Sequence, residues 1–244
     1  MMSRMSMIKR SLAWQLKRRG ITVFAGAVIL FGLGYLCARN DAYRWEPAEL
    51  FSVYLGGSGG IDLMLLLWFF LNLPLRGFLW QLMLGECERL ERIKTLKYQS
   101  RSAVIAMVLL TMAMFAAIYC GIGFGLMWLL TGGVSGVHIA LRAVLAVWEA
   151  LAFVLLVFLL GRACTKLQQA AFPAVLILEL VCCMVCGAKG GWLRLLPFVQ
   201  AKSTLQGSYF TDGTALGAAT VLLAVLAGLT VIVWKREDDG RRSN

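Results

Sequence analysis

The sequence predicts an all-α, polytopic integral membrane protein: six transmembrane helices preceded by an N-terminal interfacial helix, in a single transmembrane domain over residues 1–244. Three observations carry that prediction. Hydrophobic residues make up 60% of the chain and charged residues only 15%, where a soluble domain carries about 25% charge; the mean hydropathy is +0.76. The apolar residues gather into six runs near the ~20 residues that a spanning helix needs, joined mostly by short loops. The Lys and Arg residues cluster beside those runs, and unevenly.

The chain opens on a basic, amphipathic stretch. Met5, Ile8, Leu12 and Leu16 fall on one side of a helical projection, with Arg10 and Lys17 opposite and Trp14 alongside. That pattern fits a helix lying on a membrane surface, and equally a frayed basic tail. The first apolar run is Ile21–Cys37. It is long for a signal peptide, no A-x-A site follows it, and Leu36 rather than a small residue precedes Cys37, so an uncleaved first span is expected. A polar loop with Arg39, Asp41, Arg44, Glu46 and Glu49 leads to the glycine cluster Gly56–Gly60.

The second run covers residues 61–84 and is expected to break at Pro74 and Arg76. A charged loop, Glu86 to Arg101, follows it. The third run, Ala103–Leu130, is longer than a span requires, so a tilt or break is expected near Gly121, Gly123 and Gly125. After Thr131–His138 comes the fourth, Ile139–Leu160, then a short basic loop with Arg162 and Lys166, then the fifth, Ala171–Gly187. The segment Ala188–Thr214 precedes the last span, Ala215–Trp234, and the tail carries Lys235, Arg236, Arg241 and Arg242.

Charge orients this topology. With the N-terminus inside, cytoplasmic segments hold 18 of the 24 Lys and Arg residues, namely six before the first span, six from Arg76 to Arg101, Arg162 and Lys166, and four in the tail. The outer segments hold the other six: Arg39, Arg44, Arg142, Lys189, Arg194 and Lys202. Such an excess over short loops marks the cytoplasmic side, and an even number of spans puts both termini there, in a cell membrane. The net charge of +11 is then explained by topology and by anionic lipid as a partner, not by nucleic acid. The seven cysteines form no disulfide pattern. Cys183 and Cys186 make a C-x-x-C, but in hydrocarbon-like surroundings with no second pair, so they read as small apolar residues rather than a metal or redox site.

Three features could carry function. In GECERLERIKTLKYQSRS, Glu86, Glu88, Arg89, Glu91, Arg92, Lys94 and Lys97 make a helix of alternating charge, with Leu90, Ile93 and Leu96 as an apolar edge. Glu88–Arg92 is an i,i+4 pair of favourable polarity. Such a helix can dock on a partner or serve as a solvated helix end. Glu149 and Glu179 lie in mid-span, where a charge costs several kcal/mol unless paired, hydrated or protonated. They are candidates for a translocation path or a subunit interface, or for structural groups, Glu149 having Arg142 seven residues before it. The third feature, Gly56-Gly-Ser58-Gly59 with His138 as the one histidine, matches the G-x-S-G of rhomboid proteases. Rhomboids place both residues on later spans, deeper in the bilayer, and a flexible glycine loop accounts for the motif.

The arrangement as a whole resembles the ABC transporter type 2 permeases. Six spans, a surface helix before the first, and a glutamate-led cytoplasmic helix from Glu86 to Ser100-Arg101 at the foot of the third span carry the resemblance. So does Trp192-Leu-Arg-Leu-Leu-Pro197 with Phe198–Gly207, similar to the family's re-entrant segment between spans five and six. The chain departs from the family pattern in having no Gly-Thr after Glu86 and no lysine a turn or two after Arg101. The resemblance implies a permease working as a homodimer, or a heterodimer with a similar subunit, with cytoplasmic ABC ATPase subunits. It assigns Glu86, Glu88, Arg89, Arg92 and Arg101 to the coupling helix that meets the ATPase. No G-x-x-x-x-G-K-[ST] occurs and no Gly-Lys dipeptide, so ATP is expected on a partner subunit and no cofactor in this chain. Family analogy points to an amphipathic or hydrophobic cargo (peptide, antibiotic or lipid-like). The competing class is a non-transporting membrane immunity or assembly protein.

Overall fold

The computed structural model describes residues 17, 19–33, 36, 72–85, 101–131, 136–163, 170–188, 198 and 212–242. Apart from Ala170 and Phe198, which lie in turns, the described residues are helical, and among them there is no strand. The helices are α1 (Arg19–Leu33), α2 (residues 72–85), α3 (Arg101–Thr131), α4 (Gly136–Ala163), α5 (Ala171–Ala188) and α6 (Asp212–Arg242).

Three of them are long and apolar enough to cross a membrane: Ile105–Leu126 within α3, Ala140–Ala163 within α4 and Gly213–Val233 within α6, of 22, 24 and 21 residues. At about 1.5 Å per residue each reaches across ~30 Å of hydrocarbon. α1 and the Ala171–Cys182 part of α5 are shorter apolar helices. The outer faces suit lipid, since Ile21, Leu129, Ile177 and Val221 are between 62% and 79% exposed. In water such side chains would form adhesive patches.

Backbone and hydroxyl groups are satisfied locally, as a low-dielectric surrounding demands. Thr111, Thr220 and Thr230 each donate to the carbonyl four residues earlier, at 2.9, 2.7 and 2.8 Å. α5 starts where the Ala174 N–H meets the Ala170 carbonyl at 2.9 Å. Pro173 falls in that first turn, where its missing N–H costs nothing.

α4 is the centre of the bundle and packs against α3, α5 and α6. Aromatic pairs tie the elements together: Phe31 of α1 to Tyr119 of α3 at 5.5 Å, Phe78 of α2 to Phe115 of α3 at 5.3 Å, and Phe153 of α4 to Phe172 of α5 at 5.2 Å. All are tilted edge-to-face, the arrangement the ring quadrupole favours.

The structure corrects two expectations, on the α3 glycines and on the place of two arginines, and narrows a third. α3 runs unbroken through Gly121, Gly123 and Gly125. At Gly123 the reason is packing: the Phe31 ring of α1 lies where a Cβ would be, so any side chain there would collide with it. α2 is helical from residue 72 through Pro74 and Arg76, while the part of the run before residue 72, where the expected break would show, lies outside the described residues. Arg162, expected in a loop, lies in the last turn of α4 with its guanidinium 5.3 Å from the Phe158 ring, where a helix C-terminus favours a cation. Arg142, assigned to an outer loop, is buried on α4.

Candidate functional site

A charge in hydrocarbon must be matched, so the buried charges locate the chemistry of a bundle like this. Among the described residues they are Arg76, Arg142, Glu149 and Glu179. Arg76 on α2 and Glu179 on α5 meet as a two-pronged pair. Arg76 Nη1 donates to Glu179 Oε2, and Nη2 donates to Oε1 at 2.7 Å. The planar guanidinium fork matches the carboxylate edge, which is why arginine rather than lysine suits the place. The pair is almost completely buried, at 1% and 0% exposure.

The surroundings of the pair are aromatic. The Arg76 guanidinium sits over the Phe153 ring, 4.8 Å from its centroid, an attraction that strengthens as water is excluded. Phe153 in turn touches Phe172 at 5.2 Å and Phe198 at 6.0 Å. Phe198 is buried yet has φ of 72°, in the left-handed region that bulky residues rarely adopt. A conformation of that kind costs about 1–3 kcal/mol and persists where surrounding contacts impose it.

Glu149 stands one turn before Phe153 and projects from the same face of α4. It is buried and lines a small cavity with Trp148, Ala152, Phe198 and, from α6, Ala219 and Leu222. The cavity holds about 10 Å³, close to the least that admits one water. Cys120 of α3, a buried free thiol, lies within electrostatic reach of both Glu149 and Arg76. Four helices thus bring Arg76, Cys120, Glu149 and Glu179 into one neighbourhood. Among the described residues there is no cluster of His, Cys, Asp and Glu that could hold a metal ion.

On the lateral face, between α3 and α4, runs a groove of about 670 Å³. Ala113, Ala117, Gly121 and Gly125 line it at four-residue spacing from α3, and Ala140, Ala143, Val144 and Val147 from α4. Its volume is in the range of ligand sites and its lining is apolar.

Of the residues singled out from sequence, Glu149 and Glu179 lie at this polar centre on different helices. Arg101 is the first residue of α3, and His138 lies in the first turn of α4. The expected surface helix with Met5, Ile8, Leu12 and Leu16, together with Glu86, Glu88, Arg89, Arg92, Ser58 and the segment Trp192–Pro197, falls outside the described residues. Sequence reasoning missed Arg76, Phe153 and Phe198 as members of the site. A signal for Arg76 existed: one arginine inside an apolar run, and a lone glutamate inside another. Comparison with protein-family models, with curated proteins and with solved structures finds no match.

Proposed function

We propose that the chain is the membrane-spanning permease subunit of an ATP-driven ABC exporter. In this reading it crosses the cell membrane six times with both termini in the cytoplasm. It pairs with itself or a similar subunit and is driven by separate ATPase subunits. The observation that carries the reading is the glutamate-led segment from Glu86, which closes with Ser100-Arg101 as α3 begins at Arg101. Supporting it are three helices of membrane-spanning length and a sequence without a phosphate-binding loop. The apolar α3–α4 groove favours a hydrophobic or amphipathic cargo over a sugar or an ion.

The test is gentle extraction from membranes, with assay of the recovered complex for ATPase and export, on the native chain and on Glu86→Ala and Arg92→Ala. Removing a charge from an exposed helix costs about 0.2–1 kcal/mol; removing one from a buried contact costs about 2–5 kcal/mol. Both variants are expected to accumulate normally in the membrane while losing most ATPase stimulation and export. Full activity of both variants would reduce the segment to a connector. Turnover of ATP by the purified chain alone would contradict a separate ATPase, and recovery without any ATPase would favour an immunity or assembly protein.

A further inference from the structure

The lateral surface of the bundle has two kinds of face. On α6 the outward side chains are bulky, with Val221, Val225, Leu229 and Ile232 between 45% and 65% exposed. Between α3 and α4 the surface is hollowed instead, because Ala113, Ala117, Gly121 and Gly125 line it from α3. At Gly121 and Gly125 nothing lies within 4 Å of where a Cβ would be. We infer that this groove is a binding slot for one acyl chain of a zwitterionic phospholipid. The inference rests on α3 and α4 crossing the membrane; it deepens the choice of cargo but does not depend on an ATPase.

The depth of the groove matches one leaflet. At about 1.5 Å per residue, the α4 wall from Ala140 to Trp148 rises ~12 Å and the α3 wall from Ala113 to Trp128 ~22 Å. Half of a ~30 Å hydrocarbon core is about 15 Å. The slot therefore starts near the α3–α4 connection and ends near mid-bilayer. Trp128, 48% exposed, stands at the connection end, where tryptophan favours the membrane interface. Trp148 stands at the inner end, its indole N–H already given to Thr220.

The lining selects the occupant. It offers a ligand no charged group, and Cys120, a buried free thiol at the wall, behaves as a small hydrophobe. A sugar, ion or peptide backbone would go unsatisfied there. A second copy of the chain fits poorly, since the wall is far smaller than the ~800 Å² that each partner of a stable interface buries. A volume of about 670 Å³ suits a small apolar ligand. Lipid tails are as apolar as leucine, so shape supplies the preference: a chain between two walls gains dispersion contacts on both sides, and a chain against α6 on one. Beside the mouth, Thr131–His138 contains no Lys, Arg, Asp or Glu, so no fixed charge there favours an anionic headgroup.

The test uses the full native chain in phosphatidylcholine vesicles containing a phosphatidylcholine with a diazirine on one acyl chain. After illumination, adducts are mapped by mass spectrometry, with no ATPase present. Groove residues are expected to carry roughly tenfold more adduct than the outer face of α6, the ratio that about 1.4 kcal/mol of preference gives. Gly121→Leu, which fills the slot, should abolish that excess and leave the α6 adducts unchanged. Equal labelling of the two faces would mean ordinary boundary lipid and overturn the inference, as would an excess that survives in Gly121→Leu. A repeat with a phosphatidylglycerol probe should label the groove no more strongly; a clear excess with that probe overturns the headgroup assignment. Cross-links between two copies across the groove, with no lipid adducts in it, would make it a subunit interface and overturn the inference. Failure of the exporter reading would leave the labelling pattern unchanged, so the two can fail separately.

Discussion

α4 and α6 are both long and apolar enough to cross a membrane, yet 61% of the α4 span is buried inside the bundle and only 17% of the α6 span. Their apolar runs read alike. What separates them is charge, since α4 carries Arg142 and Glu149 inside its span and α6 carries neither an acid nor a base between Gly213 and Val233. In lipid the hydrophobic effect does not sort one apolar helix inside another, because lipid tails are as apolar as leucine. A charge does sort them, since it must be surrounded by groups that match it. The helix bearing charges is therefore the one the others enclose.

The largest effect should come from breaking the charge match. Arg76→Ala or Glu179→Ala leaves its partner buried and uncompensated, which costs about 3–5 kcal/mol. Replacing both by leucine removes both desolvation penalties and should restore most of that loss. Unfolding of the purified protein in detergent, by heat or denaturant, measures all three. Single variants within about 0.5 kcal/mol of the native chain would mean that the pair is solvated in the protein, and the rule that a buried charge must be matched would fail at this pair.

A smaller effect separates two glycines on α3. Gly123 faces the Phe31 ring with no room for a Cβ, whereas Gly121 and Gly125 have nothing within 4 Å of where a Cβ would be. Gly123→Leu should therefore cost about 1–3 kcal/mol by forcing α1 away. Gly121→Leu should stay within about 0.5 kcal/mol. If both cost the same, the glycines serve the helix backbone itself rather than α1–α3 contact.

The difference between α4 and α6 also explains what could be read in advance. The runs Ala171–Gly187 and Ile139–Leu160 were visible because unbroken hydrophobicity is a local property, and they appear as α5 and α4 with ends shifted by a few residues. Arg76 was misplaced because its neighbours Pro74 and Gly77 suggest a loop, while its partner Glu179 lies 103 residues away. No local pattern encodes a match across that distance. Glu149 and Glu179 stand out in the sequence as acids within apolar runs, but the groups around each are set by helices distant in sequence. Phe198 falls in the stretch similar to a re-entrant segment, and nothing in its own sequence neighbourhood announces a buried ring against Phe153.

The smallest predicted effect concerns how α6 is fastened to α4. The Trp148 indole N–H donates to the Thr220 hydroxyl at 3.0 Å, and that hydroxyl donates onward to the Leu216 carbonyl. Thr220 is exposed on the α6 surface, within the stretch long and apolar enough to cross a membrane, where a spanning α6 would face it to hydrocarbon rather than water. It is tempting to expect a large stabilisation from a hydrogen bond made in hydrocarbon. The reference state argues against this, because a helix separated from the bundle but still in the membrane keeps its own bonds and finds other partners. Thr220 illustrates the point, since its bond to Leu216 lies within α6 and survives separation. A double-mutant cycle of Trp148→Phe and Thr220→Val should therefore give a coupling energy of about 0.6 kcal/mol, measured by the same unfolding assay. A coupling above about 2 kcal/mol would make this bond the anchor of α6 and would demand that the helix be shielded by a partner. A coupling of zero would leave α6 held by van der Waals packing of Ala215, Ala219 and Leu226 alone, the buried apolar residues of its inner face.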